Sequence, residues 1–119
     1  MIDAASCDTS IAEDTLVYAI QNRADEIAIP AAKALGNAGG LANIPAMAQV
    51  LHDTKRSAAL RAAVAEGFGG MFAKVDVAPS AAVQALASTI QTETDVTIRQ
   101  ACATAIGRAK SATYRTADV

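Results

Sequence analysis

The sequence predicts an all-α protein of about five to six helices, arranged as antiparallel helix pairs. Three observations carry this. Hydrophobic residues make up 52% of the chain while aromatics make up 3% and tryptophan is absent, so the core must be built from Ala, Leu, Ile and Val. Alanine is the strongest helix former and lets helices pack closely. A run of small residues ending in one large apolar residue and a glycine occurs three times, at 28–36, 61–69 and 99–107. Between these copies lie apolar stripes at i, i+3, i+4 and i+7, the spacing of one buried helix face.

Residues 1–8 are polar and acidic and are expected to be a loose segment. Asp8, Thr9 and Ser10 offer N-caps for a first helix reaching Ile20, with Leu16, Val17 and Ile20 on one side. A second helix is expected from Asp25 to Leu35, bent by Pro30 and ended by Gly36, Gly39 and Gly40. Asn43 is expected to cap a third helix, with Pro45 in its first turn and Ile44, Met47, Ala48 and Leu51 inward. Ser57 should cap a fourth, running to about Phe68 with Leu60, Ala63 and Val64 inward. Gly67 costs it about 1 kcal/mol relative to Ala. Residues 71–78 read as the longest connection. A fifth helix starts near Pro79 or Ser80 and carries Val83, Leu86, Ala87 and Ile90 inward. Asp95 caps a sixth, from Val96 to about Ala109, and 110–119 reads as a polar tail.

Aligned on Gly36, Gly69 and Gly107, the copies lie 33 and 38 residues apart. One residue earlier stand Leu35, Phe68 and Ile106; five earlier, Ala31, Val64 and Cys102; nine earlier, Ile27, Leu60 and Ile98. On the intervening helices Leu16, Met47 and Leu86 align, as do Ile20, Leu51 and Ile90. The run from Asp95 through Val96, Arg99, Cys102 and Ile106 to Gly107 resembles the HEAT repeat, in the alanine-rich variant also found in phycobilisome-lyase proteins. Ser57 to Gly69 fits with Ser in place of Asp. The earliest copy departs, because Ala28 stands where Arg61 and Arg99 stand. The resemblance covers about residues 11–109. It implies a right-handed α-solenoid over 9–109, with two whole units and a half unit at each end. The ends are then either capped by tails or continued by further repeats.

Net charge is −2 and the sequence pI is about 5.2, which argues against a general nucleic-acid binder. The charge is uneven. Residues 1–26 hold six acidic groups and one basic; residues 97–119 hold four basic and one acidic. This polarity points to head-to-tail self-association, or to nucleic-acid binding through the basic last helix. Cys7 and Cys102 are distant and form no metal or disulfide motif. Cys102 shares a column with Ala31 and Val64 and reads as core. Neither a signal peptide nor a membrane-length apolar run is visible, which favours a soluble, cytoplasmic protein.

The glycine clusters are not phosphate loops, since no strand precedes them and no Gly-Lys-Ser/Thr follows. His52, the single histidine, lacks the neighbouring Glu of the iron-binding HEAT enzymes and reads as a helix-end residue favoured by the dipole. The resemblance implies that Arg61 and Arg99 pair with acidic groups of adjacent turns, Asp53 and Asp95 being the expected partners. It also implies that the second helix of each pair lines a concave face. The exposed positions there are Tyr18, Gln49 and Ser88, then Gln21, His52 and Gln91, with Gln84 one turn before Ser88. These form the expected binding surface. The expected function is a non-catalytic protein-interaction scaffold or adaptor, with no cofactor, no metal and another protein as partner. A regulatory or lyase-like HEAT domain acting on an enzyme or chromophore-bearing partner is the alternative.

Overall fold

The computed structural model describes the backbone of residues 3–38, 41–75 and 77–117, and the side chains of 13–37, 42–75 and 77–109. Among these residues there are six α-helices and no strand: α1 (Asp3–Asn22), α2 (Asp25–Ala38), α3 (Ile44–His52), α4 (Ala58–Phe72), α5 (Ser80–Thr92) and α6 (Val96–Ala117). A 3-10 turn, Leu41–Asn43, leads into α3. No helix among the described residues is long and apolar enough to cross a membrane.

α4 packs between α2 and α6. On its other side α3 packs between α1 and α5, while α1 lies on α2, α3 on α4 and α5 on α6. The result is a slab two helices thick, with Cα extents of 45 × 42 × 17 Å. The central helix is buried almost all round. Leu60, Val64, Phe68, Met71 and Phe72 are fully inaccessible, and the Phe68 and Phe72 rings stack with centroids 6.4 Å apart. Leu35, Met47, Leu51, Leu86 and Ile98 complete the core from the neighbouring helices.

Side-chain caps explain two helix starts. The Ser57 hydroxyl accepts from the Leu60 N–H at 3.1 Å and caps α4. Asp95 Oδ1 accepts from the Ile98 N–H at 3.2 Å and caps α6. Asn43 does not cap α3. Its backbone is already helical from the 3-10 turn, and its amide instead donates to Glu13 Oε1 at 2.8 Å, tying α3 to α1. Two boundaries differ from expectation. α1 begins at Asp3, ahead of the Asp8–Ser10 caps, and α6 continues to Ala117, because neither stretch contains a proline or a glycine that would end a helix.

The largest correction concerns the aligned glycines. The sequence pattern puts Gly36 and Gly69 at helix ends, yet both lie inside helices, as Gly107 does: α2 runs on to Ala38, α4 to Phe72 and α6 to Ala117. Two glycines serve close packing. A Cβ on Gly36 would overlap the Gly67 backbone, and one on Gly67 would come within 2.7 Å of the Ala32 carbonyl oxygen. α2 and α4 therefore touch backbone to backbone, a contact open only to residues without a side chain. Gly69 lies against Ala105 of α6 more loosely, with 3.4 Å available to a Cβ. The alignment also slips in the earliest copy. Ile27 is 54% exposed where Leu60 and Ile98 are buried, and Ala28 is the fully buried residue instead.

Gly67→Ala is expected to destabilise the fold by about 2 kcal/mol or more, since the atom it meets is backbone and cannot swing aside. Gly107→Ala meets nothing within 4 Å and should stabilise α6 by about 0.5–1 kcal/mol. Urea unfolding followed by circular dichroism separates the two. Shifts of the same sign would show that helix propensity, not close approach, governs these positions.

Candidate functional site

The polar positions on α1, α3 and α5 are exposed, but they do not form one depression. Gln21 and Gln49 meet in a shallow hollow of about 410 Å³ at the C-terminal ends of α1 and α3, with Asn22, Asp53 and Arg56 around them. Tyr18 stands outside it, 55% exposed, with the Arg23 guanidinium 5.5 Å from its ring centroid. His52 reaches sideways, its Nε2 3.2 Å from the Ala85 carbonyl oxygen of α5. Gln84, Ser88 and Gln91 are exposed along α5 and are not part of the hollow.

Two arginines at the start of α4 hold this edge together. Arg56 donates to the carbonyls of Ile20, Gln21 and Arg23 at 2.8, 2.9 and 2.8 Å. These oxygens at the end of α1 have no partner within their own helix, and a cation there also complements the helix dipole. In the sequence Arg56 is only part of a charged turn. Nothing local distinguishes it from Lys55, which is exposed.

Arg61 is buried. Its Nε donates to the Leu51 carbonyl at the end of α3 at 2.8 Å, and its Nη2 lies 2.5 Å from Glu93 Oε1 just beyond α5. The expected partners Asp53 and Asp95 are engaged elsewhere. Asp53 Oδ1 accepts from the Lys55 N–H, and Asp95 caps α6. The backbone after Thr92 is extended, and this brings Glu93 to the arginine. Arg99 is exposed, and no ion pair joins it to the described residues. The tie thus forms at the central helix and is not repeated on α6.

The surroundings of Arg61 set two titrations. The Asp95 N–H, 3.1 Å from Glu93 Oε2, holds the Glu93 carboxyl below its ordinary value of 4.5; burial opposes this and Arg61 reinforces it. Burial pushes the Cys102 thiol up to about 11, with Arg61 opposing. Cys102 is therefore a small core residue and not a nucleophile at neutral pH. The Cys7 side chain lies outside the described residues. Among the described residues no three of His, Cys, Asp and Glu come together as a metal site would require.

A larger depression is on the opposite side of the slab, away from the surface the sequence points to. It is a groove of about 630 Å³ running over α4 between α2 and α6. Its floor is Gly67, Gly69 and Gly70. One wall is Lys33 and Asn37 of α2; the other is Thr97, Gln100, Thr104 and Arg108 of α6, with Glu66 at the floor's edge. The cause is local. Without side chains at three of four successive positions, α4 lies low while α2 and α6 keep full-length side chains on either side. A signal exists in the sequence: Thr97, Gln100, Thr104 and Arg108 share one face of a helix at spacings of three and four. The walls hold neutral donors and acceptors and two charges, Lys33 and Arg108, with the Glu66 carboxylate at the floor's edge.

No family model matches the sequence, and no curated protein is found to match it.

Arg61→Ala would leave the Leu51 carbonyl without its side-chain donor and Glu93 Oε1 without its ion pair, and should destabilise by about 1–3 kcal/mol. Glu93, lowered in the folded state, contributes stability that is full above pH 4.5 and is lost as pH falls through its folded value. Glu93→Gln should therefore flatten the acid limb of the stability–pH profile and cost more at pH 7 than at pH 3, as read by urea unfolding at both. Native Cys102 should resist iodoacetamide at about pH 8, where a thiol of this pKa is almost wholly protonated, and react once unfolded. Mass spectrometry of the peptide containing it reads the difference.

Proposed function

We propose that the chain is a HEAT-like, right-handed α-solenoid segment acting as a non-catalytic protein-interaction module, with a polypeptide segment of its partner lying in the groove over α4. The observation that carries this is the groove itself. A glycine floor lets a partner approach the α4 backbone closely. Walls of Asn37, Gln100, Thr97 and Thr104 offer donors and acceptors suited to the amides of a polypeptide chain. The groove is open along its top, whereas small-molecule sites enclose most of their ligand. The solenoid reading is supported by the layering, in which α4 meets α2 and α6 on opposite sides through small residues, and α3 meets α1 and α5 in the same order. It is supported too by the buried arginine near the start of α4, a position the HEAT resemblance singles out.

A second surface has one observation in its favour, the hollow shared by Gln21 and Gln49. The two are separated by placing a photoreactive phenylalanine at Thr104, in the groove, or at Ser88, exposed on the other side. A discrete cross-linked protein is expected from position 104 and not from 88. Adducts from 88 alone would move the site to the α1/α3/α5 side, and adducts from neither would remove the interaction role.

A further inference from the structure

The two outer edges of the slab match each other in exposure and in charge. Ile27 precedes Gly36 by nine residues, about two and a half turns at 3.6 residues per turn, so it lies on the side of α2 opposite the contact with α4. Val96 precedes Ala105 by the same nine residues and lies on the side of α6 opposite its contact with Gly69 of α4. These two are 54% and 61% exposed, and with Tyr18 and Val77 they are the exposed large apolar residues among those described. Tyr18 lies on α1 and Val77 in the connection between α4 and α5. Each edge thus offers apolar contact area where a further helix layer would sit.

The charges complete the match. At the α1–α2 edge Asp14 and Glu26 are exposed, whereas Glu13 is bonded to Asn43 and Asp25 to Ser57. Arg23 is engaged on the Tyr18 ring. At the other edge Arg99 is exposed one turn after Val96, while Glu93 is taken by Arg61 and Asp95 by its capping bond. The chain-wide distribution has the same sense, acidic over 1–26 and basic over 97–119. Like edges repel and unlike edges attract. A second copy placed with its α6 edge on the α2 edge of the first would cover Ile27 with Val96 and set Glu26 against Arg99.

We infer that copies of this chain associate head to tail, the α1–α2 edge of one against the α5–α6 edge of the next. Such a contact is heterologous and leaves a free edge at each end of the assembly, so growth continues unless a ring closes. The contact is strengthened by low salt, where exposed charges act over tens of ångströms. It is separate from the α4 groove and stands whether or not that groove binds a partner.

Sedimentation velocity of the full chain at about 10 mM and about 500 mM salt tests this, together with Ile27→Asp and Val96→Asp. The wild type should exceed its monomer mass of 12.1 kDa increasingly with concentration at low salt, and less so at high salt. Each variant alone should stay monomeric, having one damaged edge. Mixed one to one, they should form a dimer, because Ile27→Asp keeps its α6 edge and Val96→Asp keeps its α2 edge. Both substitutions fall on exposed positions; should either lose helical circular dichroism, Glu26→Lys and Arg99→Glu replace them, each monomeric alone through like charges at the contact and, mixed, attracting at both edges so that alternating assemblies larger than a dimer form. A wild type that remains monomeric at low salt, a variant that still assembles alone, or a mixture that fails to pair would each overturn the inference.

Discussion

The backbone contact between Gly36 of α2 and Gly67 of α4 sets the geometry on which much of the rest depends. Side chains normally hold helix axes about 8–10 Å apart. Here the two helices meet without a Cβ between them, and on its other side α4 meets α6 through Gly69 and Ala105. The central helix lies close between its neighbours. Two consequences go with the glycines that allow this. The inner side of α4 drives Leu60, Val64, Phe68 and Met71 fully into the core, and the outer side leaves a channel with a glycine floor. Core and groove are thus two faces of one packing decision.

The segment from Arg56 to Arg61 does a different job, holding helix ends in place. A helix that stops inside a protein leaves carbonyls without partners. Arg56 satisfies those of α1 and Arg61 that of Leu51 in α3, while its ion pair reaches the end of α5. Six residues of sequence therefore gather the C-terminal ends of three helices. Dispersion and burial can slide along a helix at little cost; bonds to named carbonyls cannot. The glycine contacts set how closely the layers lie, and the arginines set their register.

The helices are legible in the sequence because their signals are local: apolar residues at helical spacing, Ser57 and Asp95 at two starts, alanine throughout. What escapes it is non-local. A glycine near the end of an apolar run can be a turn or a place where another backbone touches. The residues around Gly36 fit both readings, and only Gly67, across the interface, decides. Arg61 is recognisable as a tie, but Glu93 and Asp95 differ by two residues in one loop, and the extended backbone after Thr92 chooses between them. Ile27 aligns with buried residues because its chemistry matches theirs, although no helix among the described residues covers that side of α2. The groove escapes for a related reason. Its walls come from α2 and α6, which are distant in sequence, and the family resemblance directs attention to α1, α3 and α5 instead.

The same constraint governs how such a site can vary. Gly67 forms the floor and also the contact with Ala32, so a side chain there would disturb groove and fold together. Gly70 is freer, with a Cβ no closer than 3.8 Å to its neighbours. Thr97, Gln100 and Thr104 are exposed on α6 and take no part in the core, and surface changes of this kind usually alter stability by less than about 0.5 kcal/mol. The chemistry of the walls can therefore change while the floor stays fixed. The groove keeps its shape because the residues that define its depth are not the ones that define the chemistry of its sides.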